Sequence, residues 1–213
     1  IFFEKKLEKK ICDRNVMNYQ MTQSQEVCNA ISTVLPSIFI TNLWSDNMVL
    51  ESKIICLSVW CHMPVSFLYH MLCAFHYFED PIDTFLRKLD QTMVHACCVT
   101  ISYSLSQDVL YGISSFIMNS WYIGKLWIQG RHNTSLERRT NLVLCIFLYL
   151  LPVLVHGDYT NYFSAFGSFI TAAIVFHFNE LFYGWGHSLQ HVLYCPFIFY
   201  LIKASENKLC LKN

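Results

Sequence analysis

The sequence predicts an all-α membrane protein, a seven-transmembrane-helix bundle with an intramembrane metal site. Three observations lead there. Of 213 residues, 54% are hydrophobic and 14% charged, whereas soluble domains carry about 25% charged residues. Phe 17, Tyr 12 and Trp 5 suit the aromatic belts that form where helices meet headgroups. Seven apolar runs approach the length of roughly 20 residues that a spanning helix needs. Ionisable side chains lie within or beside those runs, where their cost makes them functional candidates.

Residues 1–26, rich in lysine, read as a polar basic N-terminal arm. The first run, 27–44, is the weakest, because Asn29 and Pro36 interrupt it. The others are 54–78, 89–106, 109–128, 141–156, 161–178 and 187–204. The run 141–156 is short, and Pro152 invites a kink that neighbouring helices can accommodate. Polar connectors at 45–53, 79–88, 125–140 and 157–160 separate the runs. The seven-helix domain therefore covers 27–204, and 205–213 form a short polar tail. No repeat or low-complexity segment is visible. The first residue is Ile, so the true start is expected upstream.

A formal net charge of zero gives no basis for a nucleic-acid partner. Most of the ten cysteines, Cys56, Cys61, Cys73, Cys97, Cys98, Cys145 and Cys195 among them, fall in apolar runs and form no CxxC pair. They read as small buried thiols rather than a disulfide framework.

Orientation follows the placement of lysine and arginine. Lys5, Lys6, Lys9, Lys10, Arg14, Arg87, Lys88, Lys125, Arg131, Arg138 and Arg139 share the side of the N-terminus. Only Lys53, Lys203, Lys208 and Lys212 lie opposite, eleven against four. The N-terminus is expected in the cytosol. The sequon Asn133-Thr134-Ser135 then lies in a cytosolic connector, where it escapes glycosylation.

His187 and His191 stand at i, i+4 in Gly186-His187-Ser188-Leu189-Gln190-His191. This spacing puts both imidazoles on one helical face, where they can share a metal. His70 closes Ser66-Phe67-Leu68-Tyr69-His70, and Asp90 closes Arg87-Lys88-Leu89-Asp90. His70 ends the second run, Asp90 begins the third, and the two histidines begin the seventh. An even number of crossings separates them, so all four groups lie near one membrane face. Three histidines suit zinc, which as a catalyst keeps a fourth position for water and brings its pKa toward about 7. Asp90 could accept a proton, and Ser66, one turn before His70, could polarise a carbonyl. That set suits an amide or ester whose lipid tail stays in the bilayer. His62, His76, His95 and His177 read as hydrogen-bonded interior residues, and Asn179-Glu180 with Gly184-Trp185-Gly186 as loop chemistry.

The order Ser-x3-His, Asp, His-x3-His resembles the seven-helix superfamily that joins alkaline ceramidases with the progestin and adipoQ receptors and haemolysin-III-like proteins. The matching positions are Ser66 with His70, Asp90, and His187 with His191. The resemblance covers about 27–204, with its specific matches confined to three helices. It implies zinc held by His70, His187 and His191, with Asp90 and Ser66 as the catalytic residues beside it. Phe67-Leu68-Tyr69-His70, Arg87-Lys88-Leu89-Asp90 and Gly186 through His191 look like the receptor branch, as does a cytosolic N-terminus. Two departures stand against that branch. Gln91-Thr92-Met93 replaces its aromatic and glycine, and Asn42-Leu43-Trp44-Ser45 falls at the end of the first run rather than ahead of it. The acidic calcium-binding segment of the ceramidase branch is not visible.

The expectation is a zinc-dependent lipid amide hydrolase of the receptor type, coupled to ligand sensing. It would act on a lipid substrate within the bilayer, as a multi-pass protein of the plasma membrane or the ER and Golgi. The alternatives are an alkaline ceramidase proper, a non-catalytic receptor or scaffold with structural zinc, and a histidine-lined transporter or channel.

Overall fold

Thr22 opens the first helix with a capping box: its hydroxyl accepts from the Gln25 backbone N–H, and the Gln25 side chain accepts from that of Thr22. The computed structural model describes residues 21–78, 84–129 and 135–210. Among them the chain forms seven α-helices, one 3-10 turn and no strand. The helices are α1 (Gln23–Leu43), α2 (Leu50–Ala74), α3 (Phe85–Ser106), α4 (Val109–Gln129), α5 (Ser135–Val155), α6 (Tyr159–His177) and α7 (Gly186–Cys210). The 3-10 turn, Asn179–Phe182, joins α6 to α7.

Each helix corresponds to one apolar run, but several ends lie elsewhere. The first helix begins at Gln23, so the last residues assigned to the polar arm are helical, Glu26 among them. The last helix continues to Cys210, through most of the expected polar tail. Capping groups set the first boundary, and polar residues extend the last helix beyond its apolar stretch. Residues 1–20 of the arm, residues 79–83 and the sequon's Asn133 and Thr134 lie outside the described residues. Pro36, Pro64, Pro152 and Pro196 all sit inside helices.

Short connections are set by caps. The Asp108 carboxylate accepts from the Tyr111 N–H, opening α4 two residues after α3 ends. Asp158 does the same for α6 through the Asn161 N–H, following Gly157 at φ 79°. Lys125 and Glu137, 3.2 Å apart, tie α4 to α5.

Helices α1 to α4 pack as successive neighbours, and α6 packs on α7. The last helix also lies against α1, α2 and α3, while α3 reaches α5. This arrangement makes α3 and α7 the inner helices. Ile55, Leu105, Leu150 and Leu201 are fully buried between them. So are polar groups: the hydroxyls of Ser52 and Ser205 meet at 2.7 Å between α2 and α7. His95 lies 2.8 Å from Asn119 Oδ1 between α3 and α4.

Two helices are long and apolar enough to cross a membrane, α2 over Leu50–Ala74 and α5 over Glu137–Val155. The remaining five fall short of that measure because they carry polar side chains among the apolar ones. Helix α3 holds Arg87, Lys88 and Asp90, and α7 holds two histidines, Gln190, Lys203 and Glu206. Many of these polar groups turn inward.

Candidate metal centre

The inner helix α7 begins at Gly186, one residue before the first histidine. A Cβ at this position would meet the Val175 carbonyl oxygen at 2.4 Å and the Asn179 Cα at 2.9 Å. Only glycine allows α7 to start so close to the end of α6, and this contact sets the height of His187. Tyr183 and Gly184, both at positive φ, turn the chain into that position. The Gln25 side chain donates to the Tyr183 carbonyl at 2.8 Å, docking the start of α1 against the same turn.

One helical turn separates His187 from His191, and their rings lie 4.8 Å apart, centroid to centroid. His70 arrives from α2, 4.8 Å from the His187 ring and 6.1 Å from that of His191. The candidate donor atoms of the three histidines all lie within 4.8 Å of one another. His70 is 3% exposed and His191 8%, so the group is buried. Three imidazoles converging in this way could hold a metal ion. The expected grouping of His70, His187 and His191 from two distant parts of the sequence is therefore present.

Asp90 and Ser66 stand beside the histidine group rather than in it. Asp90 lies on the first turns of α3, with Oδ1 2.9 Å from His62 Nε2. The buried Ser66 hydroxyl lies near the same carboxylate. His62, Ser66 and His70 recur every four residues and make one stripe along α2. The neighbouring arginine does not take Asp90: Arg87 donates to the Tyr69 hydroxyl at 2.9 Å, and its guanidinium lies 5.9 Å from the centre of that ring.

Three residues that the sequence reading left aside enter the site. Glu26, expected in the polar arm, places Oε2 2.7 Å from His70 Nδ1. Asn29, expected only as an interruption of the first run, is fully buried and accepts from the Ser188 hydroxyl at 2.7 Å. Ser32 sits 2.8 Å from His191 Nδ1. Their spacing at i, i+3, i+6 was the available signal, because it puts three polar groups on one side of the helix.

The other histidines divide. His95 is buried and hydrogen-bonded, as expected, and His62 is hydrogen-bonded to Asp90 at the edge of the site. His76 and His177 are exposed at helix ends rather than interior. Glu180 is exposed on the 3-10 turn, away from the group. The eight described cysteines are free thiols; Cys61 is exposed and only Cys56, Cys98 and Cys145 are fully buried.

Fold and site together define a helical protein with a buried three-histidine group able to hold a metal. Comparison with protein-family models, curated proteins and solved structures finds no match.

Proposed function

We propose that this chain is a seven-span integral membrane hydrolase that holds zinc through His70, His187 and His191 and cleaves an amide bond of a membrane lipid. The observation that carries the reading is the buried three-histidine group with an aspartate and a serine beside it. Nitrogen donors suit zinc, and three of them leave a position free for the reaction. Zinc bound there supplies a Lewis acid and a water that ionises near neutrality.

The chain's own residues have distinct tasks. Asp90 takes a proton from the attacking water and returns it to the leaving nitrogen, so that one water and one amide give an acid and an amine. His62 holds the Asp90 carboxylate in place, and the buried Ser66 hydroxyl lies near it.

A membrane setting has support beyond the two strongly apolar helices. Val109, Leu110, Ile113, Phe116, Ile117 and Trp121 of α4 are all at least 49% exposed and recur at helical spacing. A soluble monomer rarely leaves so continuous an apolar face in water. Buried serines between helices, such as the Ser52–Ser205 pair, fit the way spanning helices associate. The motif order Ser66, His70, Asp90, His187, His191 resembles that of the superfamily of alkaline ceramidases and progestin and adipoQ receptors, nearer the receptor branch, and supports this reading.

The deciding experiment measures metal in the detergent-purified chain beside a His187→Ala, His191→Ala double variant, then hydrolysis of a fluorescent long-chain ceramide. About one zinc per chain, lost in the double variant, with hydrolysis lost in Asp90→Asn while zinc stays, is the expected result. Zinc without turnover in wild type would instead favour the structural-zinc receptor or scaffold.

A further inference from the structure

Helix α1 decides which nitrogen atoms His70 and His191 turn toward the centre of the group. Glu26 Oε2 lies 2.7 Å from His70 Nδ1. A carboxylate can only accept, so the proton of that bond sits on Nδ1. A neutral imidazole with its proton there presents its lone pair at Nε2, on the far side of the ring.

The same logic reaches His191 through Ser32. The Ser32 hydroxyl has one proton, and it donates to the Asn29 backbone carbonyl at 3.0 Å. With its proton directed at that carbonyl, the Ser32 oxygen is left to accept from His191 Nδ1, 2.8 Å away. In that arrangement His191 Nδ1 carries the proton and Nε2 keeps the lone pair. Both partners are on α1, six residues apart, and α1 packs against both α2 and α7.

We propose that Glu26 and Ser32 are positioning residues of the metal centre, fixing His70 and His191 as Nδ1–H tautomers so that both ligate through Nε2. Asn29 braces the pair: its side-chain oxygen accepts from Ser188 on α7, and its amide lies 3.5 Å from Glu26 Oε2. Glu26 stands behind His70, with its oxygen already engaged, and does not join the three donor atoms. This proposal rests on the metal centre put forward above. It adds a role for the first helix, which carries none of the three histidines. Metal-ligating histidines commonly give their second N–H to a carboxylate or another acceptor, and losing that partner weakens metal binding about 10–100-fold.

The test uses the full chain in detergent, with zinc affinity measured by competition with a chromophoric chelator. Histidine 15N spectra of the metal-free protein report the tautomers separately. Glu26→Ala and Ser32→Ala are each expected to weaken zinc binding by about 10–100-fold. Glu26→Gln, whose amide oxygen still accepts from Nδ1, should retain most of the affinity and so controls for folding. The metal-free wild type should show His70 and His191 as Nδ1–H tautomers, and each alanine variant should lose that preference at its own histidine. Tight zinc binding unchanged in both alanine variants would overturn the proposal and leave the metal centre standing. A wild-type chain that binds no zinc would overturn the metal centre, and the proposal with it, whatever the tautomers.

Discussion

Asp90 has His62 and Ser66 near it on α2, and they differ in what they can do. Ser66 is a neutral hydroxyl, while His62 offers a ring nitrogen at 2.9 Å from Oδ1. If Asp90 moves the proton, Asp90→Asn should cost about 10²–10⁴-fold in turnover, with bound zinc unchanged by elemental analysis. His62 acts through Asp90. His62→Ala should lower turnover roughly 10- to 100-fold, the worth of a hydrogen bond to a charged group at about 1.5–3 kcal/mol. His62→Gln, whose Nε2 can occupy a similar place, should recover part of the loss. Unequal effects on kcat and KM would mark positioning; equal loss of protein yield and activity would mark mere structure. At this scale the sequence shows His187 and His191 directly, because one helical turn joins them. His62 looked like an ordinary interior histidine because its partner lies on another helix, 28 residues away. Glu26 was harder to see for a related reason: it ends the stretch that composition assigns to the polar arm, and only the packing of α1 on α2 brings it to His70.

Individual helices carry their own consequences. The close approach at Gly186 makes Gly186→Ala a backbone problem rather than a side-chain one, because the added carbon meets a carbonyl at 2.4 Å. Overpacking of this kind costs about 1–3 kcal/mol, and the shift it forces moves His187. Thermal unfolding in detergent should show the variant destabilised and its zinc weakened together. Ser205→Ala, which removes a buried hydroxyl from the α2–α7 seam, should cost only about 0.6 kcal/mol and leave zinc unaffected. The order of those two effects, Gly186 above Ser205, is the expected outcome. The helix count was legible because apolar runs alternate with polar connectors. The ends were less legible: Thr22 and Gln25 start α1 by capping, in a segment whose composition reads as a tail.

For the whole molecule, the seven crossings proposed above would send the two ends of the chain to opposite sides. Epitope tags at each terminus, probed in sealed microsomes with protease, should give one protected end and one accessible end, the N-terminus on the cytosolic side. Glycan attachment at Asn133 would reverse that orientation. The sequence by itself determined the helical class, the number of helices and the three histidines, since each depends on spacing and composition along the chain. Tertiary structure alone decided the rest: Glu26 behind His70, Ser32 behind His191, and His62 on Asp90. A periodic pattern shows which face a residue occupies within its own helix. Which residue of another helix comes opposite depends on packing and register between helices, and no local pattern encodes that.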